Sequence, residues 1–166
     1  IFVQPLREEL RQRRCNSHRQ RLVASEVHIG FNSEFCRRQN TVHLDLKPAN
    51  VLIRADGSAL LLDFGLSCNA LYPDLLAEQL RKAVGSPAWI APEQVVGVRG
   101  DPRSDIFAIG VMLYQLSTGE LPFGEPQTQA GMRQRLWMDP TPPRKLQPNL
   151  PEWLQEVILR CLAPEA

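Results

Sequence analysis

No apolar run in this sequence approaches the roughly 20 residues that span a bilayer, and its first residues carry neither an apolar signal region nor a small-residue cleavage site. A soluble, cytoplasmic chain is therefore expected, with attachment through segments outside it left open. The four cysteines (Cys15, Cys36, Cys68, Cys161) include no C-x-x-C pair. That spacing argues against a zinc or redox site and for free thiols in a reducing compartment. Internal repeats and low-complexity stretches are absent too. The formal charge of +1 conceals a basic first part: residues 1–40 hold eight Arg against four Glu, and the remainder holds eleven Lys/Arg against fourteen Asp/Glu. The basic stretch lacks interleaved aromatics and glycine, and its arginines alternate with Glu and Gln, so a solvated helix outweighs a nucleic-acid arm.

What is present is enough for a packed domain, since 43% of the 166 residues are hydrophobic. A polar surface helix is expected over Pro5 to about Gln20, forming an uncertain leader over 1–21. A second helix with one buried face is expected from about Leu22 to Arg38, where Leu22, Val23, Val27, Phe31 and Phe35 recur at three- and four-residue steps. Val51-Leu52-Ile53 and Ala59-Leu60-Leu61-Leu62 flank Asp56-Gly57, a hairpin signal. Residues from Ser67 to Pro92 read as irregular, with Pro73, Gly85 and Pro87 as punctuation. Ile106 to Leu116 is apolar nearly all round, which predicts a buried helix started by Ser104 or Asp105 as cap and ended by Gly119. An amphipathic helix near Gln129–Met138 and a last helix carrying Trp153, Leu154, Val157, Ile158, Cys161 and Leu162 complete the pattern.

Three polar clusters interrupt these apolar runs in a fixed order: His43-Leu44-Asp45-Leu46-Lys47-Pro48-Ala49-Asn50, then Asp63-Phe64-Gly65, then Ala91-Pro92-Glu93. A carboxylate, a lysine, an asparagine and a second carboxylate are the set needed to position a hydroxyl and hold metal-bound phosphates. A lone Asp-x-Lys in a loop is ordinarily a surface ion pair, and a lone Asp-Phe-Gly ordinarily a turn. Four such residues at these spacings outweigh coincidence. The hairpin turn also brings Asn50, before its first strand, near Asp63, after its second.

The series resembles the catalytic core of the eukaryotic-type (Hanks-type) serine/threonine protein kinases, whose catalytic loop reads H-R-D-L-K-P-x-N and is followed by D-F-G and A-P-E. The compact style of Ser104 to Phe123 is most similar to bacterial members. The resemblance implies the larger, C-terminal lobe of the kinase fold, mainly α with a short β-hairpin. It implies that Asp45 orients the substrate hydroxyl and accepts its proton, and that Lys47 places positive charge near the γ-phosphate of ATP. Asn50 and Asp63 would hold Mg2+ through oxygen, and Leu52 would form an apolar floor under adenine. Lys47-Pro48 and the run Gly85 to Glu93 resemble the serine/threonine class, with a protein Ser/Thr hydroxyl as acceptor. Ser86 would bond toward Asp45 and Lys47, Glu93 would be structural, and Asp105 would bond back to the catalytic-loop backbone.

Departures from the family pattern set further expectations. The sequence holds no Gly-rich phosphate loop, no V-A-I-K strand lysine and no partner glutamate. Residues 1–166 are accordingly expected to be a partial kinase domain, with the smaller lobe before Ile1 and the extreme C-terminal helix after Ala166 missing. Glu93 would then lack the arginine that normally pairs with it. Leu44 stands where most members have arginine, which argues against loop phosphorylation at Ser67 or Tyr72 as the on-switch. Two other readings compete. A catalytically silent kinase-like binding or scaffolding module would be favoured by a degraded Asp45, Asn50 or Asp63, and none is degraded. A small-molecule kinase sharing the catalytic loop is disfavoured by the Gly85–Glu93 segment.

Overall fold

The computed structural model describes residues 40–74, 77 and 85–163. The two helices expected over Pro5–Gln20 and Leu22–Arg38 lie outside these residues. Two small antiparallel sheets and five helices make up the described part. β1 (Thr41–Val42) pairs with β4 (Cys68–Asn69), and β2 (Val51–Ile53) pairs with β3 (Ala59–Leu61). The helices are α1 (Pro92–Val95), α2 (Arg103–Thr118), α3 (Gln129–Arg133), α4 (Pro143–Leu146) and α5 (Glu152–Leu162). Among the described residues no helix is long and apolar enough to cross a membrane.

The hairpin forms where Asp56-Gly57 predicts it, in the register Val51↔Leu61, Leu52↔Leu60 and Ile53↔Ala59. Its loop has three residues: the Gly57 amide donates to the Arg54 carbonyl, the Arg54 amide donates to the Ser58 carbonyl, and Gly57 takes φ +86°. That is a tight turn completed by a left-handed residue, which glycine adopts without steric cost. Asp56 braces it by accepting from the Ser58 amide and hydroxyl at 2.9 and 2.7 Å. Leu62 falls outside the strand, yet its amide still donates to the Asn50 carbonyl at 2.8 Å.

α2 is the central helix. Its start differs from expectation, for neither Ser104 nor Asp105 is the cap. The flanking residue is Pro102, and Asp101 Oδ1 takes the Arg103 amide at 2.9 Å. Ser104 and Asp105 are released to bond elsewhere. Gly119 closes the helix in the left-handed conformation at φ +80°, its amide donating to the Gln115 carbonyl at 2.8 Å. Nor is α2 buried all round, because Ile106 and Leu116 are exposed while Phe107, Ala108, Val111 and Tyr114 face the core.

Two apolar clusters surround α2. Ala91, Phe107, Val111, Tyr114, Ile158 and Leu162 form one, and Leu46, Leu61 and Ala108 the other. α5 crosses α2 at Gly110, where an added Cβ would lie 2.7 Å from Cys161 Cβ. Only Ile158 and Leu162 of α5 are fully buried, and Trp153 and Val157 are exposed. The helix expected near Gln129–Met138 shortens to α3 and a 3₁₀ turn over Gln134–Leu136, and its one buried side chain is Arg135. The proline-rich run contains α4, whose first residue, Pro143, exploits a position where no amide is needed.

Candidate active site

β1 delivers the chain into a loop whose backbone is held from behind by α2. Both Asp105 carboxylate oxygens accept main-chain amides, Oδ2 from His43 at 2.8 Å and Oδ1 from Leu44 at 2.9 Å. Burial pushes the Asp105 carboxyl above the ordinary value, and the two amides pull in the opposite direction. Leu44 adopts φ +66°, a left-handed conformation that a leucine holds only when its surroundings enforce it. The enforcement comes from three sides: Asp105 takes its amide, Gln94 Nε2 donates to its carbonyl at 2.9 Å, and its side chain is buried.

His43 adds a fourth restraint. Its buried ring stacks obliquely on Phe64, with centroids 4.7 Å apart. Nδ1 accepts the Asp45 amide at 3.3 Å, which leaves the proton on Nε2 to donate to the Leu62 carbonyl at 3.1 Å. One imidazole therefore joins the loop carrying Asp45 to the residue that precedes Asp63.

The Asp45 carboxylate is the hub. Oδ2 accepts from Lys47 Nζ at 2.7 Å and from Asn50 Nδ2 at 3.2 Å, and Oδ1 accepts from the Ser86 amide at 3.0 Å. Lys47 also donates to Ser86 Oγ at 2.7 Å, and Asn50 Nδ2 reaches the Asp45 carbonyl at 2.9 Å. A carboxylate offers about four lone-pair positions. Three are filled, so one acceptor position remains, on the oxygen beside Ser86. The pair is sheltered, with side-chain exposures of 9% for Asp45 and 24% for Lys47.

The structure thus brings Asp45, Lys47, Asn50 and Ser86 into one hydrogen-bonded group. Asp63 stands beside it through the Leu62–Asn50 backbone bond, exposed, at φ +61°, its Oδ1 accepting the Gly65 amide at 3.2 Å. Leu52 lies on the outer face of the hairpin, 41% exposed. Glu93 lies behind the group in α1, where Ser104 Oγ donates to it at 2.6 Å. The donor set can be tested against a magnesium nucleotide. Asn50 and Asp63 carry hard oxygen donors, one amide and one carboxylate. That fits Mg2+, which commonly takes one or two protein oxygens and completes its shell with phosphates and water.

Several residues have parts in this architecture that the sequence did not announce. Gln94 accepts the Ala91 amide at 3.0 Å and reaches Leu44, joining α1 to the loop that carries Asp45. Its signal was a glutamine three positions into a helix, half of a capping box. Arg135 is buried against Phe107 and Phe123, donates Nη1 to the Ile90 carbonyl, and is pushed down to about 10 by burial. Its Nε and Nη2 find no acceptor among the described residues.

Comparison with known proteins places the chain in a family. The protein kinase domain family matches residues 4–166. The chain belongs to the protein kinase family. It is 41% identical over 128 residues to the serine/threonine-protein kinase Pkn1 of Myxococcus xanthus, covering 74% of this chain and 18% of that protein. Similarity to PknB of Mycobacterium tuberculosis, a serine/threonine-protein kinase, is 32% over 129 residues, covering 78% of this chain and 21% of the relative. The tyrosine-protein kinase MasK of Myxococcus xanthus is 35% identical over 133 residues, 80% of this chain and 20% of its own length. The chain spans about a fifth of the length of these curated relatives, and they place it among bacterial members of the family.

Proposed function

We propose that this chain is most of the larger lobe of a bacterial protein serine/threonine kinase, which transfers the γ-phosphoryl group of Mg-ATP to a protein hydroxyl in the cytoplasm. The observation that carries the reading is the Asp45 carboxylate, held by Lys47, Asn50 and the Ser86 amide with one acceptor position left. That position would receive the substrate hydroxyl. Asp45 then orients the oxygen and takes its proton, a contribution of about 10²–10⁴-fold. Lys47, anchored on both Asp45 and Ser86, holds positive charge where negative charge moves during transfer.

Bound Mg-ATP would supply the phosphoryl group. Asn50 is oriented for the metal because its Nδ2 is spent on Asp45, which leaves Oδ1 as the amide's acceptor. Asp63 provides the second oxygen ligand, and Leu52, apolar and exposed, the surface for a base. Ser86 shapes the acceptor side, while Glu93 and Asp105 hold the scaffold. The kinase-like scaffold without catalysis is the second reading, and the intact hub disfavours it. The 166 residues hold no Gly-rich loop or strand lysine, so alone they are expected to bind ATP weakly and turn over negligibly.

The deciding experiment measures transfer from radiolabelled Mg-ATP by the full-length protein to peptides offering serine, threonine or tyrosine. Asp45→Asn and Asp63→Asn are each expected to remove transfer while the melting temperature stays within a few degrees. Unchanged activity in either variant would sink the role given to that residue. Phosphotyrosine as the main product would move the acceptor class toward that in MasK's name.

A further inference from the structure

Arg99, in the loop between α1 and α2, ties down two points of the segment that follows Asp63. Nε donates to Asp74 Oδ2 at 2.7 Å, and Nη2 donates to the Leu66 carbonyl at 3.0 Å. With side-chain exposures of 12% for Arg99 and 23% for Asp74, the pair is shielded from the screening that makes most surface ion pairs weak. Between these points the chain is ordered by its own bonds. The Ser67 amide and hydroxyl both donate to the Phe64 carbonyl, at 3.0 and 2.7 Å. β4 pairs with β1, the Ala70 amide reaches the Asn40 carbonyl at 2.9 Å, and the Leu71 amide bonds Asn69 Oδ1 at 2.9 Å. The segment thus has two moorings, β1 along one edge and Arg99 at the other.

We infer that Arg99 is a positioning residue for the centre: by holding the Leu66 carbonyl and the Asp74 carboxylate together, it sets residues 66–74, and through Leu66 the loop carrying Asp63, with unmodified side chains. A planar guanidinium can serve a carbonyl and a carboxylate at once, whereas the compact ammonium of lysine serves both less well. Elsewhere an added phosphate orders a loop by giving an arginine its anion. In this chain Asp74 supplies the anion permanently. The effect on catalysis rests on the kinase reading above; the ordering of the segment does not.

The test uses the full-length protein, with hydrogen exchange of the backbone amides and transfer from Mg-ATP to dephosphorylated casein measured in parallel. Arg99→Met and Asp74→Asn are expected to lower protection of the amides of residues 67–72 at least tenfold while α2 keeps its protection. The same variants are expected to raise the half-saturating Mg2+ concentration at least threefold, as loosening of Asp63 requires. Arg99→Lys should recover only part of either effect, and phosphatase treatment of the wild type should change neither. Unaltered protection in both Arg99→Met and Asp74→Asn, or loosening of the wild-type segment by phosphatase, overturns the inference. Wild-type protein that transfers no phosphate would refute the kinase reading alone, and the exchange data would still decide whether Arg99 orders the segment.

Discussion

Ser86 touches the centre twice, through its amide to Asp45 and its hydroxyl to Lys47. The two contacts separate cleanly by substitution. Ser86→Ala keeps the amide and removes one charge-assisted bond worth about 1.5–3 kcal/mol net. Because Lys47 retains Asp45, the expected loss in kcat/KM is nearer tenfold than a hundredfold, measured with the best acceptor peptide. Asp105 gives a sharper case, since both its oxygens accept amides. Asp105→Asn replaces one acceptor by an NH2 that faces an amide, so unfolding in urea should reveal a loss of about 1–3 kcal/mol. Activity should fall as well, because the same amides belong to residues adjoining Asp45.

Gly110 shows how an element can be constrained by its neighbour. In an exposed helix, Gly→Ala gains about 1 kcal/mol. At Gly110 the new methyl would meet Cys161 Cβ at 2.7 Å and Leu162 Cδ2 at 3.2 Å. Overpacking of this kind costs about 1–3 kcal/mol, so Gly110→Ala should lower the urea midpoint, and an unchanged or higher midpoint would show that α5 can slide. The elements differ in how plainly they were written. The Asp56-Gly57 hairpin and the Gly119 stop follow from local backbone chemistry and could be read directly, as could the order of Asp45, Lys47, Asn50 and Asp63. β1 and β4 have two residues each, too few to carry any periodicity, so their pairing was invisible. α2 was over-read because its apolar positions outnumber its buried ones, leaving Ile106 and Leu116 in solvent. Arg135 was under-read for the opposite reason: arginine ordinarily marks a surface, and only packing on Phe107 and Phe123 puts it inside.

Across the whole molecule, Asp105 should leave a mark on pH dependence. Its carboxyl is raised by burial in the fold. The unfolded chain therefore releases this proton first, between the ordinary carboxylate value of about 3.9 and the raised folded value. In that window this group's contribution to stability falls as pH rises and returns as pH falls. Subtracting the Asp105→Asn profile from the wild type, in melts taken at each pH, should show the difference declining across the window and then levelling. Arg135 gives a contrasting test. A guanidinium buried with one acceptor among the described residues contributes little net stability, and an apolar residue of similar length is often neutral or better, so Arg135→Met should keep the melting temperature within a few degrees while Arg135→Glu lowers it sharply. The β1–β4 pairing has a consequence for how such a molecule could be turned off. Asp45, Lys47, Asn50 and Asp63 all lie on the stretch of chain that these two strands close into a ring, whereas Ser86 enters from outside it. Moving Gly85–Pro87 aside, with Ala91 and Glu93 still anchored in the core, would break the Ser86 contacts and leave the ring's own distances intact, so the centre could be disarmed and rearmed without ever being dismantled.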